Sequence, residues 1–138
     1  MFNGCSKLTS LVLPDNIVGI GANAFKNCSS LPSLSLPSNV TSIPDGILNG
    51  AFGLSEIEIP FVGSLASSAI THLGHIFGTS SYSNSYSVRS GNKTYCIPNA
   101  LWKVSVNGPI EDGLKENAFA NCNGINTVEL KNATKALT

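Results

Sequence analysis

The chain is predicted to fold as an α/β solenoid of about five 23-residue coils, each a short parallel strand plus a helical turn, interrupted by one insertion. Three observations predict it. Twenty-three residues separate Phe2 from Phe25, Cys5 from Cys28, Leu8 from Leu31, Leu11 from Leu34, Leu13 from Leu36 and Pro14 from Pro37. Within a unit the last two leucines lie two apart, which puts them on one side of a strand. The 138 residues are 42% hydrophobic and 12% charged with a formal net charge of zero, enough apolar surface for one domain, 1–138.

The first unit, 2–24, reads F-x-x-C-x-x-L-x-x-L-x-L-P and continues with Ile17 and Ile20. Leu11 and Leu13 face the core, while Ser10 and Val12 face away. Pro14 has no N–H for a ladder and ends the strand. Residues 21–28 read as a tight helical turn with Phe25 and Cys28 on one face. The second unit, 25–47, repeats this with Val40 and Ile43. The third, 48–62, has Leu48 for Phe and Ala51 for Cys, then Leu54, Ile57, Ile59 and Pro60. The pattern breaks at 63 and resumes at Leu101, Val104 and Val106, so 63–97 reads as the insertion. The remaining units are 98–118 and 119–138, with Phe119, Cys122, Ile125, Val128 and Leu130 in phase. The step from Leu101 to Ile125 is 24 residues, one more than the period, and the extra residue falls in the turn at 108–113. Stacking joins the Leu, Phe and Cys positions of all units into one core.

Cys5, Cys28 and Cys122 share one repeat position with Ala51, which reads as a small buried side chain. A Cys5–Cys28 bridge is the less favoured alternative, and no C-x-x-C pair suggests zinc. Cys96 lies outside the ladder. Zero net charge argues against a nucleic-acid or anionic-membrane surface. No run of about 18 apolar residues spans a bilayer. The chain starts inside one repeat and stops inside another, with no signal peptide, and is expected to be part of a longer array whose neighbouring repeats it contacts.

These residues resemble the BspA-like, Treponema-type leucine-rich repeat family, through 2–62 and about 100–134. The insertion is similar to a segment of such repeat proteins at 60–63, 75–82 and 94–108, with Cys96 where Tyr is common. The resemblance implies a right-handed solenoid on a secreted or cell-surface protein. It implies a non-enzymatic protein-binding role, such as adhesion to host or extracellular-matrix proteins. The alternative is a structural spacer with no ligand of its own.

No catalytic, cofactor or metal site is expected. His72 and His75, spaced i, i+3, have no carboxylate or cysteine within ten residues in the sequence to complete a metal site and read as surface residues of a short helix. No G-x-S-x-G elbow or phosphate loop is present. Residues 78–92 read as a mobile Ser/Gly/Asn-rich loop, or more sharply as a Tyr/Ser recognition patch. Asn27, Asn39, Asn92 and Asn132 begin N-x-[ST] sequons, with Asn39 and Asn92 the expected exposed ones. The candidate binding face is the outward side of the sheet. One column is Ser10, Ser33, Glu56, Lys103 and Thr127, and the other is Val12, Ser35, Glu58, Ser105 and Glu129.

Overall fold

The computed structural model describes residues 4–62, 72–108 and 118–131. Phe2, the opening of the insertion at 63–71, most of the 108–113 turn, Asn132 and the residues after it lie outside that description.

Alternation within each strand follows the sequence. β1 (Ser33–Ser35) buries Leu34 between two exposed serines. β2 (Glu56–Ile59) turns Ile57 and Ile59 inward and Glu56 and Glu58 outward. After the insertion come β3 (Ser85–Ser90) and β4 (Lys93–Pro98), then β5 (Lys103–Val106) and β6 (Thr127–Leu130). β1, β2, β5 and β6 form one parallel sheet in that order. The register steps are 23 residues from Ser33 to Glu56, 47 from Glu56 to Lys103 and 24 from Lys103 to Thr127. The extra length between β2 and β5 is therefore taken up within a single step of the sheet.

The repeat positions form the core. Leu31, Leu34, Leu36, Leu54, Ile57, Ile59, Leu101, Val104 and Val106 are all buried, with Phe25, Leu48, Cys28, Ala51 and Cys122 from the turns. All four cysteines are free, and Cys5 is only half-buried. Burial raises the Cys28 and Cys96 thiols and pushes Cys122 up to about 11.

The tight helical turn expected at 21–28 is a run of turns that does not wind into a helix. Ala24, Lys26 and Cys28 donate to carbonyls three residues back, at 3.2 Å each, but Asn23 and Asn27 sit at φ 62° and 63°. A left-handed residue every four positions stops a right-handed helix from propagating. A left-handed residue recurs in this repeat phase at Gly4, Asn27, Gly50 and Asn121. Turns then stack through their backbones, with Phe25 N donating to Ile47 O and Asn27 N to Asn49 O.

The one helix among the described residues is a 3-10 turn, Leu73–Ile76. It stacks where a repeat turn would sit. Gly46 N and Leu48 N donate to His75 O and Ile76 O on one side, and Leu73 N donates to Ala118 O on the other. Residues 85–98 correct the expectation of a mobile loop. They are an antiparallel hairpin, β3 with β4, closed by the two-residue turn Gly91-Asn92 with Gly91 at φ 62°. Among the described residues no helix is long and apolar enough to cross a membrane.

Candidate binding surface

The outward face is built by the strands that bury the core, because successive side chains point to opposite sides. In register, Ser33, Glu56, Lys103 and Thr127 form one column, and Ser35, Glu58, Ser105 and Glu129 the other. Like-sign neighbours would repel, and the columns avoid this. Lys103 Nζ lies 3.9 Å from Glu56 and 3.6 Å from Glu129. Lys131 Nζ pairs with Glu58 and lies 4.0 Å from Glu129. Exposed pairs of this kind each contribute little to stability. Their effect is to order side chains on the face.

Glu58 is the hub of the network. Its Oε2 accepts from Ser35 Oγ at 3.0 Å and from Asn107 Nδ2 at 2.8 Å, while Oε1 accepts from Lys131. Asn107 Nδ2 also donates to Leu36 O, so one amide ties the ends of β1, β2 and β5. Burial pushes the Glu58 carboxyl up, but the hydrogen bonds from Lys131, Asn107 and Ser35 outweigh it and hold the group below the ordinary glutamate value. A folded pKa below the unfolded one contributes stability above about pH 4.3, lost as pH falls through the folded value. Carboxyl NMR is therefore expected to show Glu58 titrating below an unstructured glutamyl peptide. In Glu58→Gln the loss of stability on acidification should shrink. A Glu58 midpoint at or above the peptide value would contradict the network.

Three expected members of the face behave differently. Ser105 is 6% exposed, because its short side chain stands in register between Glu58 and Glu129. Ser10 and Val12 are exposed, Val12 at 92%, but they do not join the sheet. No hydrogen bond joins residues 10–13 to β1 among the described residues. Instead a cleft of about 510 Å³ opens there. Asn107 and Lys131 belong to the face and were not singled out from the sequence. Their signal was legible: both stand where Pro37 and Pro60 follow the other strands.

The histidines are buried, not surface residues as the sequence suggested: His72 is 3% and His75 4% exposed. His72 Nδ1 accepts from Gly74 N at 2.8 Å and Nε2 donates to Ala120 O at 2.9 Å. His75 Nε2 donates to Ile43 O at 2.7 Å. These bonds fasten the 3-10 turn to repeat turns on both sides. Cys122 Sγ is 3.9 Å from His72 Nε2, but that nitrogen's proton faces Ala120 O and it cannot accept the thiol proton. With the thiol raised, the pair lacks the activated nucleophile of a Cys-His site. No group of three His, Cys, Asp or Glu able to hold a metal occurs among the described residues.

Of the tyrosines, Tyr95 is buried and Tyr82 and Tyr86 are half-buried. Tyr82 Oη donates to Cys96 O at 2.8 Å, Tyr86 Oη accepts from Gly124 N at 3.1 Å, and Tyr95 stacks on His72 at 5.5 Å. Burial raises all three phenols. Both tyrosine hydroxyls of the expected Tyr/Ser patch, on Tyr82 and Tyr86, are thus engaged within the molecule. Asn39 and Asn92 are exposed, although the Asn39 amide is engaged with Asp15 O at 2.7 Å.

A family model, the BspA type leucine rich repeat region, matches residues 1–92 in six copies. No curated protein and no solved structure matches the chain.

Proposed function

The chain belongs to the BspA-type leucine rich repeat family, whose repeats generally act as non-catalytic protein-interaction modules, and on that footing we propose that it binds a protein ligand through the outward face of its sheet. The observation that carries this reading is the ordered polar face over a core side committed to Leu, Ile and Val. Its contact residues are Ser33, Ser35, Glu56, Glu58, Lys103, Thr127 and Glu129, with Lys131 added and Ser10, Val12 and Ser105 removed. We propose further that the parent protein is secreted or displayed at a cell surface, where family members are commonly found, and that the ligand is a host or extracellular-matrix protein.

The coil boundaries are part of the same proposal. We place five coils in a right-handed solenoid within a single domain, 1–138. The fourth coil takes its turn from residues 72–78, so that Phe77 stands where Phe25 and Leu48 stand in theirs. Residues 72–98 then divide into that turn and a hairpin excursion.

Binding to immobilised fibronectin and fibrinogen, measured by surface plasmon resonance, tests the reading. Replacing Glu56, Glu58 and Lys103 together by Gln should weaken a positive interaction about tenfold or more. One observation favours the spacer alternative: Glu58 already accepts three hydrogen bonds within the molecule. Absence of binding to either protein would select that alternative, and binding unchanged by the triple replacement would move the contact off this face.

A further inference from the structure

The first coil is joined to the second on both sides of its strand position, but not at it. Gly4 N donates to Lys26 O at 2.8 Å on one side. On the other, Thr41 N donates to Val18 O at 3.1 Å and Gly19 bridges Ser42 in parallel. Between these clasps, residues 10–13 stand away from β1. The gap is thus an opening framed within the coil stack, not a frayed end.

Its walls have a definite chemistry. β1 bonds β2 through Pro32 and Leu36: Ser55 N donates to Pro32 O, and Leu36 N to Glu58 O, at 2.8 Å each. The alternate residues Ser33 and Ser35 therefore turn their N–H and C=O groups to the open edge, and Ser35 lines the cleft itself. No hydrogen bond fills that edge among the described residues. Leu11, Leu13 and Pro37 supply apolar lining, and Asp15 and Glu58 supply carboxylates. No Lys, Arg or His lines the cleft. Glu58 is paired with Lys131, whereas Asp15 has no ion pair among the described residues.

We infer that this cleft receives an extended peptide segment with alternating apolar and basic residues, laid along β1 as an added strand. Backbone pairing to Ser33 and Ser35 supplies the affinity, and the alternating side chains meet the two kinds of wall. Apolar side chains lie against Leu11, Leu13 and Pro37, and a cation is drawn to Asp15. Leu11 and Leu13 are half-buried and already pack against the core from their present position without the first coil closing on β1. The proposal rests on the reading of the chain as a protein-binding module and assigns it a second contact, which borders the outward face and shares Ser35 and Glu58 with it.

The test is an NMR titration of the whole chain with an end-blocked hexapeptide of alternating lysine and valine, and with its glutamate–valine counterpart. Saturable shifts are expected at Val12, Asp15, Ser33 and Ser35 for the lysine peptide, with the glutamate peptide about tenfold weaker or worse. Asp15→Lys should reverse that preference. A lysine peptide N-methylated on alternate amides should lose binding without any change to the protein. Equal binding of the two peptides, shifts elsewhere, no binding at millimolar peptide, or exchange-protected Ser33 and Ser35 amides in the free chain would each overturn the proposal. Loss of peptide binding with matrix-protein binding intact refutes the cleft alone. Retained peptide binding with no protein ligand refutes only the outward-face reading.

Discussion

Replacing Phe77 with alanine is expected to cost about 3–5 kcal/mol and to release the hairpin from the repeats. Phe77 is fully buried and closes the 3-10 turn that sits between two repeat turns. The ring is held by the backbone around it. Phe77 N donates to Gly74 O at 3.0 Å, and Asn49 Nδ2 donates to Phe77 O at 2.9 Å and Ser80 O at 2.7 Å. Those bonds resist collapse of the site, so much of the cavity should remain, which places the cost toward the upper end. A domain has about 5–15 kcal/mol in total. Urea unfolding would measure the loss, and trypsin cleavage at the exposed Arg89 and Lys93 of the hairpin would report its release. Phe77→Leu, which keeps most of the volume, should recover the greater part. An alanine variant within 1 kcal/mol of the wild type, on the scale of surface changes, would mean that the ring does not join the core.

The parts of the molecule legible in the sequence are those set by local alternation and by the period. Leu34, Ile57 and Val104 fall in register because each occupies the same phase of its unit and each strand has one apolar face. Cys28 and Cys122 were readable as core for the same reason. The burial of His72 and His75 was not readable, because their partners, Ala120 O and Ile43 O, are backbone carbonyls 48 and 32 residues away. No residue type marks such a partner. The hairpin was readable in principle: Gly91-Asn92 separates two stretches with β-branched and aromatic residues. Its serine content concealed it. On the face, the columns follow from parity, but the neutralisation of Glu58 depends on Asn107 and Lys131, which sit beyond the strands.

The left-handed turn position and the close spacing of coils are two sides of one constraint. Turns stacked at the strand spacing, about 4.7–4.9 Å, leave no room for a Cβ wherever one backbone crosses another. Gly53 is such a point. A Cβ there would lie 2.4 Å from Ser29 O, a backbone atom that cannot rotate aside. Ser29 is itself held, its N–H bonded to Asn27 O at 2.9 Å, and Leu31 just beyond it is fully buried. Gly53→Ala must therefore push the second and third coils apart, and is expected to cost about 1–3 kcal/mol or more through overpacking. Gly21→Ala is the matched control. Its Cβ meets nothing within 4 Å, so the change should be neutral or stabilising by up to about 1 kcal/mol. Thermal and urea unfolding of the two variants side by side separate a steric effect from the general effect of losing a glycine. Two variants of equal stability would show that the coils are not in backbone contact at this turn, and the packing that makes the repeats a single core would need another origin.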